Sequence, residues 1–138
     1  MTTKTYPNRT ISILFVEDDE LILELQASVL RVKFPDVVFY TAVNGRIGLE
    51  LFKIHRTDIV ITDINMPELC GVQMSGSIHA IKPETMFIAI SGKSENSYRP
   101  NSANKVFKFD HVIVKPVDLS NLFAIIEQCL GEVSQRAS

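Results

Sequence analysis

The sequence has no tryptophan, only two cysteines and no long apolar run. A membrane-spanning helix needs about 20 consecutive apolar residues, and no segment approaches that length. Cys70 and Cys129 are too few and too far apart to indicate a disulfide framework, so we expect reduced thiols in a cytoplasmic protein. Residues 1–10 lack the apolar stretch of a signal peptide, and we expect them to form a disordered lead-in.

A strong excess of charge of one sign is also missing. The net charge is -2, so neither a nucleic-acid-binding field nor a membrane-binding surface is expected. The hydrophobic content of 46% and the charged content of 22% are ordinary for a globular protein. A chain of 138 residues predicts one domain, which we place at residues 11–133, followed by a frayed polar tail at residues 134–138.

Short apolar runs alternate with helical patterns along the chain. The apolar runs predict strands at residues 12–16, 37–42, 86–91 and 112–114, with another strand that ends at Asp63. The intervening segments carry apolar residues at helical spacing, of which the first helix has Ile22, Leu25, Val29 and Val32, the second Ile47, Leu51 and Ile54, and the last Leu122, Ile126, Cys129 and Val133. A weaker helix is predicted at residues 71–81, and Asp118 is positioned to cap the last helix. This (βα)5 pattern predicts an α/β fold with a single doubly wound, five-stranded parallel sheet.

Polar residues follow four of the five predicted strands. Binding sites in open parallel sheets lie beyond the carboxyl ends of the strands, so these residues are expected to lie close together. They are Glu17, Asp18 and Asp19 after the first strand, Asp63 and Asn65 after the third, Ser91 after the fourth and Lys115 after the fifth.

This set of side chains suits phosphate and metal chemistry. Glu17, Asp18 and Asp63 would repel one another, and their pKa values would rise unless a cation lay between them. Ligands that are all oxygen favour a hard metal ion, which can be Mg²⁺ or, in its place, Mn²⁺. Asp63 can act as a nucleophile and form an acyl phosphate. Lys115 and the hydroxyl of Ser91 can then bind phosphoryl oxygens.

Simpler interpretations remain open for some of these residues. Asp63 can be a residue at a strand end that only caps a loop. Glu17, Asp18 and Asp19 can be an acidic cluster at the start of the first helix, because acids favour helix N-termini. We expect Asp19 to be mainly such a cap, and Glu17 and Asp18 to be metal ligands.

Four stretches in this order resemble the receiver domain of a two-component response regulator, such as the chemotaxis receivers. They are residues 13–19, residues 63–67 with Gly71, residues 90–92 and residues 114–116, and the resemblance covers about residues 11–131. It implies the flavodoxin-like strand order 2-1-3-4-5. It also implies that Asp63 accepts a phosphoryl group from a histidine kinase or a phosphotransfer protein.

The resemblance assigns roles to the other residues as well. Glu17, Asp18 and Asp63, with the backbone carbonyl of Asn65, would hold Mg²⁺. Ser91 would be the switch hydroxyl, and Lys115 would bind the phosphoryl group and precede a cis bond to Pro116. Such a domain is a cytoplasmic signalling switch that acts on a downstream protein partner. It is not an enzyme beyond its own phosphorylation and dephosphorylation, and the resemblance leaves the oligomeric state open.

The sequence departs from the family pattern in three places. Val112 stands where receivers usually carry an aromatic residue, and Lys108 replaces a common glycine. Residues 96–104, which include Pro100, are a poor helical sequence, so we expect a short, shifted or mobile helix there. One alternative is therefore a degenerate receiver that binds a partner without phosphorylation. A Mg²⁺-dependent phosphatase is a weaker alternative, because Asn65 occupies the position of the general acid that such enzymes need.

Overall fold

The computed structural model describes residues 10–64, 66, 69–92 and 107–137, and these residues form five strands and four helices. These elements are β1 (Ser12–Val16), α1 (Glu20–Lys33), β2 (Val38–Ala42), α2 (Gly45–His55), β3 (Ile59–Asp63), α3 (Gly71–Ile81), β4 (Met86–Ser91), β5 (His111–Val114) and α4 (Leu119–Ala137). The predicted bounds of β1, α3 and β4 and the predicted end of β3 agree with these, and the predicted starts of β2 and β5 each differ by one residue.

The strands form one parallel sheet in the order β2-β1-β3-β4-β5. The predicted fold class and strand order are therefore confirmed. In the register of the sheet, Val16 pairs with Thr62, Asp63 with Ile90, and Ser91 with Val114. This register brings the carboxyl ends of four neighbouring strands to one edge of the sheet, where the predicted site residues follow.

Alternate side chains of the strands pack into two separate apolar layers. In β1, Ile13 and Phe15 contact the layer that contains residues of α1 and α4. Leu14 and Val16 contact the opposite layer, which contains residues of α2 and α3. Helices therefore cover both faces of the sheet, as a doubly wound fold requires. The exposed apolar residues of the sheet lie on its two outer strands, at Val38, Val112 and Val114.

Side-chain caps define where three of the helices begin. Asp19 accepts hydrogen bonds from the backbone N–H groups of Leu21 and Ile22, which confirms its predicted capping role. Asn44 caps α2 in the same way, and Asp118 accepts from the backbone N–H of Ser120 at the start of α4. Because β1 ends at Val16 and Asp19 caps α1, Glu17 and Asp18 lie in the short connection at the edge of the sheet.

The apolar residues noted at helical spacing in α1 do not face the core. The side of α1 that packs on the sheet consists of Leu23, Ala27 and Leu30. The opposite side exposes Ile22, Leu25, Val29 and Val32. In α2, Ile47 and Leu51 are half-buried, whereas Ile54 is 71% exposed and Phe52 is the large buried residue.

The last helix agrees with its predicted inner face and is longer than expected. Its predicted inward residues are all buried, and they are Leu122, Ile126, Cys129 and Val133. The helix continues through Ala137, so residues 134–137 are helical, where a frayed tail was predicted. Arg136 near its end donates a hydrogen bond to the carbonyl oxygen of Glu84, which ties the end of α4 to the turn before β4.

Two sequence predictions fall on parts of the chain that the structure does not describe. The lead-in, apart from Thr10, lies outside the described residues, as does the irregular segment at residues 96–104. Within the described ranges, no helix is both long enough and apolar enough to cross a membrane.

Candidate functional site

Asp63 is the last residue of β3, the central strand of the sheet, and is only 4% exposed. The backbone after it is fixed by two hydrogen bonds. Ile64 N–H donates to the carbonyl of Ile90 at 3.1 Å, and Gly71 N–H donates to the carbonyl of Ile64 at 2.9 Å. A Cβ atom at Gly71 would meet the carbonyl oxygen of Asp63, so only glycine permits this approach of α3 to the strand end. Asp63 is therefore a buried carboxylate on a rigid backbone.

Lys115 forms an ion pair with Asp63. Its Nζ atom lies 2.7 Å from Oδ2 of Asp63, and its backbone N–H donates to the carbonyl of Ser91 at 2.8 Å. Burial alone would lower the pKa of Lys115, but the hydrogen bond to Asp63 and the charges of Asp63, Glu17 and Asp18 together raise it. The ammonium group therefore stays protonated. The bond from Lys115 to Pro116 is cis, as the resemblance implied.

Three carboxylates meet at this edge of the sheet. One carboxylate oxygen from each of Glu17, Asp18 and Asp63 lies within 4.8 Å of the others. Glu17 is buried and accepts a hydrogen bond from the backbone N–H of Asp19 at 3.0 Å, whereas Asp18 is exposed. Burial raises the pKa of Glu17, the Asp19 N–H lowers it in part, and the charge of Asp63 raises it further, so that the net shift is upward.

The arrangement of these oxygens fits a hard divalent cation. Mg²⁺ binds oxygen at about 2.0–2.1 Å, so two of its ligands lie at most about 4 Å apart. The three carboxylate oxygens lie within 4.8 Å of one another, so a bound Mg²⁺ would draw them slightly closer together. Burial beside another negative charge raises the pKa of Glu17, and a bound cation would offset this effect.

Ser91 ends β4 next to the strand that carries Asp63. It is buried, and its hydroxyl donates to the carbonyl of Gly92 at 3.2 Å. Its neighbour Ile90 pairs with Asp63 in the sheet, so Ser91 lies one position beyond Asp63 at the same edge. A rotation about its Cα–Cβ bond is enough to turn this hydroxyl away from its local carbonyl.

The structure thus brings four of the predicted residues into one cluster, namely Glu17, Asp18, Asp63 and Lys115. Ser91 lies beside them through the sheet register. Asn65, the remaining predicted ligand, lies outside the described residues.

The sequence analysis missed two backbone features that support the site. The first is the hydrogen bond from Asp19 N–H that orients the Glu17 carboxylate. The second is Gly45 at the start of α2, where a Cβ atom would meet the carbonyl oxygen of Leu69 in the loop after β3. The Asn44-Gly45 pair is typical of a turn that leads into a helix. Its glycine could have been linked to a close backbone approach, although not to this particular loop.

Comparison with known protein families gives one match that covers most of the chain. The model for the response regulator receiver domain matches residues 13–127. Similar proteins include the uncharacterized transcriptional regulatory protein YesN of Bacillus subtilis, 26% identical over 90% of this chain and 33% of YesN. The autoinducer 1 sensor kinase/phosphatase LuxN of Vibrio harveyi is 27% identical over 91% of this chain and 14% of LuxN. The chain spans about a third or less of these relatives' lengths.

Solved structures share the whole fold. The N-terminal domain of an uncharacterized protein from Wolinella succinogenes has a TM-score of 0.80 and 29% identity, covering 94% of this chain and 100% of that domain. A CheY-like receiver domain protein from Methanospirillum hungatei has a TM-score of 0.79 and 24% identity over the same shares, a likeness that concerns the fold. Because the family model spans most of the sequence, the chain belongs to the response regulator receiver domain family.

Proposed function

We propose that this receiver domain is a phosphoacceptor switch in a two-component phosphorelay. In this proposal Asp63 accepts a phosphoryl group from a histidine kinase or a phosphotransfer protein in a reaction that requires Mg²⁺. The observation that carries it is the buried Asp63 carboxylate paired with Lys115 at 2.7 Å and adjoining the carboxylates of Glu17 and Asp18. The carboxylates of Glu17 and Asp18 repel that of Asp63, so the cluster favours a bound cation in addition to Lys115.

The transfer exchanges one bond to phosphorus for another. A carboxylate oxygen of Asp63 forms a bond to phosphorus while the bond from phosphorus to the donor imidazole nitrogen breaks. The electrons of the broken bond remain on that nitrogen, which is protonated from solvent. Asp63 suits this step because the rigid end of β3 fixes its direction of attack, so little orientational freedom is lost.

The acidic residues and Lys115 manage the charge of the incoming group. Glu17, Asp18 and Asp63 would hold Mg²⁺ together with the backbone carbonyl of Asn65, and the metal when bound neutralises charge on the phosphoryl oxygens. Lys115 would release Asp63 Oδ2 and bind a phosphoryl oxygen instead, since its ammonium group stays charged.

The same residues connect phosphorylation to the surface. The Ser91 hydroxyl would leave the carbonyl of Gly92 and donate to a phosphoryl oxygen, which moves the end of β4. Lys115 would move the end of β5, because its backbone is bonded to Ser91. These shifts would change the binding of a downstream protein partner in the cytoplasm.

Intact-mass measurement with a small phosphodonor tests the proposal. The purified chain is incubated with acetyl phosphate or phosphoramidate and Mg²⁺. We expect one phosphoryl adduct per chain, lost when EDTA replaces Mg²⁺ and lost in Asp63→Asn. Asp36→Asn, which changes an exposed aspartate outside the site, serves as the matched control and should form the adduct normally.

The outcomes separate the alternatives. Absence of any adduct from a folded protein would contradict the proposal and support the degenerate receiver, which binds its partner without phosphorylation. Rapid release of many phosphates per chain from varied phosphate esters would instead indicate a phosphatase. The retention of Glu17, Asp18, Asp63 and Lys115 in one cluster favours the switch.

A further inference from the structure

Thr62 places a hydroxyl group among apolar side chains of the sheet. It directly precedes Asp63 in β3 and is fully buried. Its pairing partners on the two neighbouring strands are Val16 and Ala89, which belong to the apolar layer that contains residues of α2 and α3. Valine would fill the same space, and a buried hydroxyl is costly unless it is hydrogen-bonded. Packing alone therefore does not account for a threonine at this position.

The partner of this hydroxyl is the backbone carbonyl of Asp63. Oγ1 of Thr62 donates to that oxygen at 2.8 Å. In a regular strand the side chains project from the faces of the sheet, whereas the backbone carbonyls point toward the neighbouring strands. A hydrogen bond from Thr62 to the next carbonyl therefore means that this carbonyl is turned toward the side of the sheet on which Thr62 lies. Gly71, at the start of α3, packs against the same oxygen.

The hydroxyl of Thr62 completes the fixation of one peptide group, which joins Asp63 to Ile64. The N–H of this peptide donates to the carbonyl of Ile90 on β4 at 3.1 Å, and its carbonyl accepts from Thr62. Both polar ends of the peptide are thus held, one by the adjacent strand and the other by a side chain of β3 itself. The plane of this peptide sets the rotation about the Cα–C bond of Asp63. The Cα atom from which the carboxylate projects is therefore fixed on both sides.

We propose that Thr62 is a positioning residue for the phosphoacceptor, and that its hydroxyl keeps the Asp63 carboxylate in its direction of attack. This inference rests on the proposed function of Asp63. Thr62 is fully buried, so it acts through the backbone of Asp63 and not by contact with the phosphodonor. The effect is expected in the rate of phosphoryl transfer, because a small misplacement of a reacting atom slows a reaction strongly.

Two substitutions separate the two parts of the Thr62 side chain. Thr62→Val keeps its shape and removes the donor, whereas Thr62→Ser keeps the donor and removes a methyl group from a packed layer. Val60→Ala is the control for a general loss of stability. Val60 lies two residues earlier in β3, is fully buried in the same apolar layer and makes no hydrogen bond to Asp63 with its side chain.

The rate of adduct formation with acetyl phosphate at saturating Mg²⁺ tests the proposal on the whole chain. It is measured at a temperature at which thermal unfolding shows every variant to be folded. We expect Thr62→Val to react at least about 5-fold more slowly than the native chain. Thr62→Ser and Val60→Ala should react within about 2-fold of the native rate, although both lose buried carbon and unfold at lower temperature.

Three results of this measurement would overturn the proposal. The first is a Thr62→Val variant that reacts as fast as the native chain. The second is a Thr62→Ser variant as slow as Thr62→Val, because the retained hydroxyl would then restore nothing. The third is a Val60→Ala variant as slow as Thr62→Val, because the rate would then follow stability and not the hydrogen bond.

Amide hydrogen exchange tests the contact itself without a phosphodonor. The N–H of Ile64 should exchange at least about 10-fold faster in Thr62→Val than in the native chain or in Thr62→Ser. The N–H of Ile61 in the same strand is the internal reference, because a general loss of stability accelerates both amides. Equal acceleration of the two amides would contradict a local role for Thr62. If the native chain forms no adduct, the proposed function of Asp63 fails, and the ratio of these two exchange rates still decides whether Thr62 fixes the peptide.

Discussion

The ion pair with Lys115 offsets the cost of burying the Asp63 carboxylate. A buried charge without a partner is costly, and Lys115 supplies the partner at 2.7 Å. The pair also leaves Lys115 positioned for an incoming phosphoryl group. The same contact thus stabilises the unmodified domain and prepares the site for its proposed reaction.

Replacing Lys115 by methionine should therefore destabilise the domain. We expect a loss of about 1–3 kcal/mol in the free energy of unfolding, because Asp63 would keep its burial and lose its charged partner. Since the Lys115 side chain is itself partly exposed, the loss belongs at the lower end of that range. Urea denaturation measures it, with Lys108→Met at an exposed position as the control. Equal stability of the two variants would contradict a stabilising role for the pair.

The raised pKa of Glu17 predicts how stability depends on pH. A carboxyl group whose pKa is higher in the folded state stabilises the fold fully below its unfolded value of 4.5, and that contribution is lost as pH rises through the folded value. Without Mg²⁺, Glu17→Gln should therefore be more stable, relative to the native chain, at about pH 8 than at about pH 4. Denaturation at both pH values measures this. With Mg²⁺ at pH 8 the native chain should be more stable than Glu17→Gln, because the native chain gains a ligand that the variant binds less well.

The N-termini of α2 and α3 pack closely against the backbone at the two ends of the loop after β3. Gly71 begins α3 directly against the carbonyl of Asp63, and Gly45 begins α2 against the carbonyl of Leu69. Both positions lack space for a Cβ atom. The N-termini of the two helices therefore contact the backbone on either side of this loop, at Asp63 and at Leu69.

Two glycines of α3 provide a matched comparison for this contact. Gly71→Ala should destabilise the domain by about 1–3 kcal/mol and slow adduct formation, because the new Cβ atom pushes on the Asp63 backbone. Gly76→Ala, with nothing within 4 Å of the new atom, should stabilise the domain by about 0.5–1 kcal/mol. Thermal unfolding and intact-mass kinetics measure both effects. A Gly71→Ala variant that unfolds and reacts like the native chain would show that the loop does not need this approach.

Helix periodicity predicted where the elements lie better than which sides they bury. The α1 sequence carries two apolar faces, and spacing alone does not say which one meets the sheet. The structure buries Leu23, Ala27 and Leu30, a set in which alanine permits close packing, and it exposes the larger set. The parallel sheet followed from apolar strands that alternate with helical segments, and the strand order was implied by the resemblance to receiver domains.

The residues of the proposed site lie together at one edge of the sheet. The sequence pattern predicted the parallel sheet, and the resemblance to receiver domains implied its strand order. The polar residues after β1, β3, β4 and β5 could be assigned to one site because parallel strands share a carboxyl edge. The backbone contacts of Asp19 and Gly45 could not, since they depend on loop conformations that no residue pattern specifies. Val112, which stands where receivers usually carry an aromatic residue, lies on the outer strand β5 and is 47% exposed.

Thiol reactivity reports on the integrity of the whole fold. Cys129 is fully buried, and burial raises its pKa to about 12, whereas Cys70 is partly exposed. We expect an aromatic disulfide reagent to label one thiol in the native chain and two after denaturation. Peptide mapping should identify Cys70 as the native site. Rapid labelling of Cys129 would contradict the packing of α4 on the sheet.

Locating the modified residue tests the central claim most directly. The chain is treated with phosphodonor and Mg²⁺, reduced with borohydride to convert an acyl phosphate to an alcohol, digested and mapped by tandem mass spectrometry. The account predicts a single site, with Asp63 converted to homoserine and the carboxylates of Glu17 and Asp18 unchanged. An alcohol formed at another carboxylate, or a phosphoryl group on one of the three histidines, with Asp63 unmodified, would contradict it.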